Sequence, residues 1–133
     1  MRRYSRFFSK RSIFALGVLV AAITITMAGL IVFAHPKVTS SNIAPGAVLA
    51  PADVPGSVQV QFSEDIDNKR STIYVYKMGS DNLVDLGDVR VSQDTLSVSL
   101  RPSLSTGVYQ VRWIAISPDD GGYREGTINF AIK

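Results

Sequence analysis

Residues 35–133 predict an all-β fold: an immunoglobulin-like Greek-key β-sandwich of seven to eight strands, preceded by an N-terminal hydrophobic leader helix. Three observations carry the sandwich. Short segments alternate apolar and polar residues with period 2, the pattern of strands that bury one face. Turn-forming residues separate those segments at short intervals. No stretch after residue 35 keeps a helical period, and seven or eight strands in about 100 residues fill two sheets packed face to face.

The leader comes first. Arg2, Arg3, Arg6, Lys10 and Arg11 precede any acidic residue, and Ile13 to Ala34 then runs for 22 residues without a charge. As a helix this run spans about 33 Å, enough to cross a hydrocarbon core of about 30 Å. Val32-Phe33-Ala34 offers the small residues that a signal peptide needs before a cut at His35. The run is long for a signal peptide, so a membrane anchor that stays uncleaved is the second reading. Under both, the basic end stays inside and residues 35–133 are exported, to the periplasm or the cell surface. The expected organisation is a leader over 1–34 and one sandwich domain over 35–133.

The strands follow in order. A first one is expected near Lys37–Ser41. Val58, Val60 and Phe62 alternate with Gln59 and Gln61, and Ile73 and Val75 with Tyr74 and Tyr76. A short pair is expected around Leu83–Leu86 and Val89–Ser92. Leu96, Val98 and Leu100 alternate with Ser97 and Ser99; Tyr109, Val111, Trp113 and Ala115 share one face of the longest run; Ile128, Phe130 and Ile132 close the chain. Pro45-Gly46, Pro55-Gly56, Gly79 to Asn82, Gly87, Pro102, Gly107 and Gly121-Gly122 punctuate them. Leu104, Gly107 and Tyr109 have the spacing of a tyrosine corner, in which a phenol bonds backbone a few residues upstream.

Charge and composition exclude several functions. The net charge of +3 belongs to the leader: the 99 residues after it carry 9 basic and 11 acidic side chains, net −2. A nucleic-acid partner loses its main support. The absence of Cys excludes a disulfide framework, a Cys-zinc site and a thiol nucleophile. A single His excludes a two-His metal clamp and leaves His35 as the only imidazole base for a Ser-His-Asp arrangement.

Two clusters and one terminus could carry chemistry. Cleavage before His35 would give that residue a free α-amine beside its imidazole. An α-amine ordinarily titrates at about 7.7–8.0 and yields its proton to a metal near neutrality. Pro36 has no backbone N–H, so the next amide cannot join the chelate. Nitrogen with carboxylate ligands in a square arrangement suits Cu(II). The loop Ser117-Pro118-Asp119-Asp120-Gly121-Gly122-Tyr123 offers two carboxylates, as metal ligands or as an ordinary Asp-Gly turn. Glu64, Asp65 and Asp67 end the Val58–Phe62 strand, as a solvated acidic turn or a calcium site.

Taken together, five stretches resemble the CopC family of exported copper-binding proteins: Ala34-His35-Pro36-Lys37 with Ser40-Ser41 after it; Ala44-Pro45-Gly46-Ala47; Val60-Gln61-Phe62-Ser63-Glu64; Leu104 through Trp113 leading to Ser117; and Gly126 followed by Ile128, Phe130 and Ile132. The resemblance implies a copper chaperone or store outside the cytoplasmic membrane, not an enzyme. Its partners would be copper itself and a membrane copper transporter. It implies that His35 is the first Cu(II) ligand through amine and imidazole, and that Glu64 is the neighbouring acid. In the family an Asp and a His from a Ser-x-Asp-x-His type loop complete the site. Counted back from Gly126 the loop Asp is Asp120; counted forward from Ser117 it is Asp119; Asp120 is preferred. Gly122 stands where the second imidazole belongs, so one Cu(II) site weaker than the family's is expected. The family's methionine-rich Cu(I) site is missing, since Met78 is the only Met after the leader. A copper oxygenase built on two imidazoles is excluded by the single His. The alternative is a metal-free sandwich serving as a structural or protein-interaction domain at the membrane surface.

Overall fold

The computed structural model describes residues 35–133. The leader expected over 1–34 lies outside the described residues. Eight strands form: β1 Val38–Ser41, β2 Ala47–Leu49, β3 Ser57–Phe62, β4 Thr72–Lys77, β5 Arg90–Ser92, β6 Thr95–Ser99, β7 Gly107–Ile116 and β8 Tyr123–Ile132. They make two four-stranded sheets, ordered β1-β3-β6-β5 and β2-β8-β7-β4. The β-sandwich expected from the alternation is therefore the fold. Every pairing within the sheets is antiparallel except β2 on β8.

The alternating residues meet between the sheets. Val58, Val60, Phe62, Leu96 and Val98 from one sheet face Ile73, Val75, Tyr109, Val111, Trp113, Ala115, Ile128, Phe130 and Ile132 from the other, and all are buried. Two aromatic contacts organise this layer. Phe62 and Trp113 meet edge to face with ring centroids 5.1 Å apart, and Tyr109 stacks on Phe130 at 5.3 Å. The expected tyrosine corner is present: the Tyr109 hydroxyl donates to the Ser105 carbonyl at 2.5 Å. Trp113 fits because its partner in the β7–β8 register is Gly126. A β-carbon on Gly126 would lie 2.4 Å from Trp113 Cζ2.

Two details correct the sequence reading. β2 was not expected, being three residues long beside the Pro45-Gly46 turn. That turn carries the chain from the first sheet to the second, with the Gly46 N–H donating to the Asn129 carbonyl at 2.7 Å. Of the two short strands expected around Leu83–Leu86 and Val89–Ser92, the second forms as β5 and the first does not; β5 pairs with β6. The Leu83–Leu86 segment divides its bonds between the sheets: the Val84 N–H donates to Val75, the Leu86 N–H to Ser99. Asp85, 4 % exposed, substitutes for a strand partner. Its Oδ2 accepts the Val75 N–H at 2.7 Å and its Oδ1 the Gly87 N–H at 2.9 Å. A segment bonded to both sheets in turn has no regular ladder of its own.

Two substitutions test these constraints. Gly126→Ala forces Trp113 out of its seat, and overpacking of this kind costs about 1–3 kcal/mol; the urea midpoint followed by Trp113 fluorescence should fall accordingly. Asp85→Ala leaves the buried Val75 N–H without an acceptor, a loss of about 1–3 kcal/mol, read by the same titration.

Candidate metal centre

Three pieces of chain converge at one end of the sandwich: the start of β1, the exit of β3 and the β7–β8 loop. The Lys37 N–H donates to Ser63 Oγ at 3.1 Å, and the Ser63 N–H donates back to the Lys37 carbonyl at 2.8 Å. Pro36 is buried, so the chain just ahead of this clamp is held against the domain, with His35 half-buried beyond it. The β3–β4 connection is tied to the end of β7. The Asp67 N–H donates to the Ile116 carbonyl at 2.7 Å, and the Ile116 N–H donates to Ser71 Oγ at 3.1 Å.

The β7–β8 loop closes on itself. The Ser117 N–H donates to the Gly122 carbonyl at 2.8 Å, and the Gly121 N–H to the Ser117 carbonyl at 3.2 Å. Gly121 takes φ +71°, a left-handed conformation that glycine adopts without penalty. Asp120 Oδ1 accepts the Gly122 N–H at 2.8 Å. The His35 imidazole lies against the same residue. A β-carbon on Gly122 would lie 3.3 Å from both Cδ2 and Nε2 of His35 and 3.1 Å from Oδ1 of Asp120. The imidazole and the carboxylate thus meet where residue 122 has no side chain. The Gly122 N–H, the Ser117 hydroxyl and the His35 charge together hold the Asp120 carboxyl below its usual range, against an opposing effect of burial.

Of the four expected ligand residues, the structure brings His35 and Asp120 together. Asp119, like Asp120, is exposed. Glu64 follows the Ser63–Lys37 clamp directly. It is half-buried, and its Oε1 is buried with no hydrogen-bond partner. Among the described residues, no three His, Asp or Glu side chains gather on one point. An imidazole and a carboxylate are donors for a cation that accepts nitrogen and oxygen together, and the partnerless Glu64 oxygen is not gathered with them. The His35 α-amine would supply a third ligand on a cut before that residue.

The family model for the CopC domain matches residues 38–133. The chain belongs to the CopC family. Among solved structures it is similar to PcoC, a methionine-rich copper resistance protein from Escherichia coli, at 27% identity and TM-score 0.63, over 75% of this chain and 100% of that one. It shares its fold with CopC from Methylosinus trichosporium OB3b at 20% identity and TM-score 0.63, over 74% and 94% of the two chains. Comparison with curated proteins gives no match.

One residue at this end escaped the sequence reading, while Ser117, named in the loop, proves to be buried. Arg70, paired with Asp67 at 2.8 Å, reaches the loop, with Nη1 3.5 Å from where a Gly121 β-carbon would be. Arg70 belongs to no alternating pattern, and the sequence carries no signal that it would reach this loop.

The carboxylates of this CopC domain set its acid stability. The Arg70 guanidinium, helped by the Lys69 and Arg70 N–H groups, lowers Asp67 from the usual 3.8 to about 2. The Ser99 N–H and hydroxyl lower Asp88, and the Gln61 amide and Thr95 hydroxyl lower Asp94. A folded pKa below the unfolded one favours the native state above the unfolded value and loses that advantage as pH falls through the folded value. Stability contributed by these groups and Asp120 should hold above the ordinary carboxyl range and decline as pH falls toward about 2. Urea midpoints measured from pH 6 to pH 2 check this, and Asp67→Asn should flatten the lower part of the curve.

Proposed function

We propose that this CopC protein is an exported Cu(II) carrier of copper resistance or homeostasis, and that it binds copper without catalysing a reaction on it. One Cu(II) is held by the His35 imidazole, the His35 α-amine and the Asp120 carboxylate, with Glu64 as the adjacent acid. Residues 1–34 act as the leader that exports the domain and is removed before His35. A membrane copper transporter is the receiver of the cargo.

The observation that carries the reading is the meeting of His35 and Asp120 at Gly122. Sequence separates these residues by almost the whole domain, and the fold returns one to the other. Family membership and the copper-resistance description of the PcoC relative supply the metal's identity. The site differs from a two-imidazole centre because Gly122 contributes no ligand. It is a weaker site, and copper leaves it readily for a better-furnished one.

The amine decides between this reading and a metal-free interaction domain. The domain beginning at His35 should bind one Cu(II) more tightly than the same domain with Met or Gly placed before His35. Protons compete with the metal at both His35 nitrogens, so apparent affinity should fall as pH is lowered through neutrality. Competition titration with a chromogenic chelator measures both. Equal curves for the two proteins, or affinity that ignores pH, would turn the assignment toward the metal-free alternative.

A further inference from the structure

We propose that the outer face of the β2-β8-β7-β4 sheet is a docking surface for a second copy of this chain. The two copies pack about a twofold axis that is parallel to β7 and β8 and runs between them. The outer faces of the sandwich differ in kind. The outward positions of β3 and β6 are Ser57, Gln59, Gln61, Thr95, Ser97 and Ser99, hydroxyls and amides suited to water. The other sheet turns carbon outward. Its register sets Val48 beside Ala131 and Ala131 beside Val108, and the Met78 N–H extends the row by donating to the Val108 carbonyl at 2.8 Å. Val48 is 52 % exposed, Val108 50 % and Met78 45 %, so one row across the sheet is both apolar and in water. Exposed apolar residues gathered into a patch mark interaction surfaces, whereas scattered ones do not.

The neighbouring rows fit this patch to a copy of itself. Beside the apolar row, the Tyr76 hydroxyl donates to Gln110 Oε1, and Gln110 Nε2 donates to Asn129 Oδ1 at 2.8 Å. These polar groups satisfy one another and leave water at little cost. Beyond them the outward positions of β4, β7 and β8 hold one cation and one anion: Arg112 on β7, and Glu125 one row further along on β8. Both are exposed, and neither has an ion pair among the described residues. The proposed axis exchanges β7 with β8 and β2 with β4 and keeps every row level with itself. Val108 then meets Ala131 of the second copy, and Val48 meets its Met78. Arg112 stands one row, about 7 Å, from the second copy's Glu125. Each contact occurs twice in such a pair, and opposite charges so placed favour this partner and this register. An axis across the strands would instead set the apolar row against the charged end of the face. The face projects about 500 Å², from about 4.8 Å per strand and about 3.4 Å per residue. That is small for a permanent dimer, so the pair is reversible.

The test is made without metal, so its outcome is independent of the copper reading. Sedimentation equilibrium of the exported protein from about 1 μM to about 1 mM should show monomer passing to dimer. Amide shifts that move with concentration should lie in β2, β4, β7 and β8 and spare β3 and β6. Val108→Asp should weaken the dimer by more than about tenfold, because it buries a charge against Ala131; should it fail to fold, Val48→Asp makes the same test. Arg112→Glu and Glu125→Arg should each weaken it by about tenfold, since each sets like charges together twice. The Arg112→Glu/Glu125→Arg double variant should return toward wild type, because the pair is restored with its signs exchanged. Protein that stays monomeric throughout overturns the proposal. A dimer whose moving shifts lie on β3 and β6 overturns the face, and one that the exchanged charges fail to restore overturns the twofold arrangement.

Discussion

The edge-to-face contact of Phe62 with Trp113 is the constraint from which the rest of this end of the molecule follows. Phe62 is the last residue of β3 and Trp113 lies three residues before the end of β7, so one aromatic pair joins the two sheets just below the loops. β1 is paired with Phe62 through Val38, which brings the chain around His35 to this end. β7 continues from Trp113 to Ser117, which brings the Asp120 loop to the same end. The contact exists only because β8 presents Gly126 beneath the indole. A missing side chain in the core thus fixes the height at which the two halves of the site approach each other.

A second missing side chain, at Gly122, decides what happens when they arrive. The His35 ring rests against this residue at a distance tighter than ordinary contact would leave for a β-carbon. The loop therefore receives the His35 imidazole beside the Asp120 oxygen. Both groups are held from behind: His35 through buried Pro36 and the Lys37–Ser63 clamp, Asp120 through the Gly122 N–H. Preorganisation of this kind reduces the ordering cost of any binding at these groups.

The sandwich was legible because one face of nearly every strand is buried, and burial writes period 2 into the sequence. Val58, Val60 and Phe62 could be assigned on that ground alone. β2 was not, since three residues beside a turn carry no period. The Leu83–Leu86 segment misled because its apolar residues imitate a strand while its hydrogen bonds alternate between sheets through Asp85. At the site, His35 stood out as the only imidazole and Asp120 from its spacing to Gly126. The His35 ring and Asp120 Oδ1 both border Gly122. The closure of the loop by the Ser117 backbone was illegible, because bonds from its N–H to Gly122 and from Gly121 to its carbonyl leave no pattern in composition.

The donor set also bears on which copper the protein suits. An imidazole nitrogen and carboxylate oxygens favour the divalent ion, whereas Cu(I) favours thioether and thiolate sulfur. Among the described residues the single methionine is Met78, whose N–H donates to the Val108 carbonyl at the far end of β7 from the loop. It stands at the opposite pole of the sheet from His35. The methionine-rich PcoC relative keeps the same fold at 27% identity. In this chain Phe62, Trp113 and Gly126 fix the end of the frame at which His35 and Asp120 lie, and that end carries an imidazole and a carboxylate rather than sulfur. What it can hold depends on how those two groups are oriented, and orientation is what Pro36 and Gly122 provide.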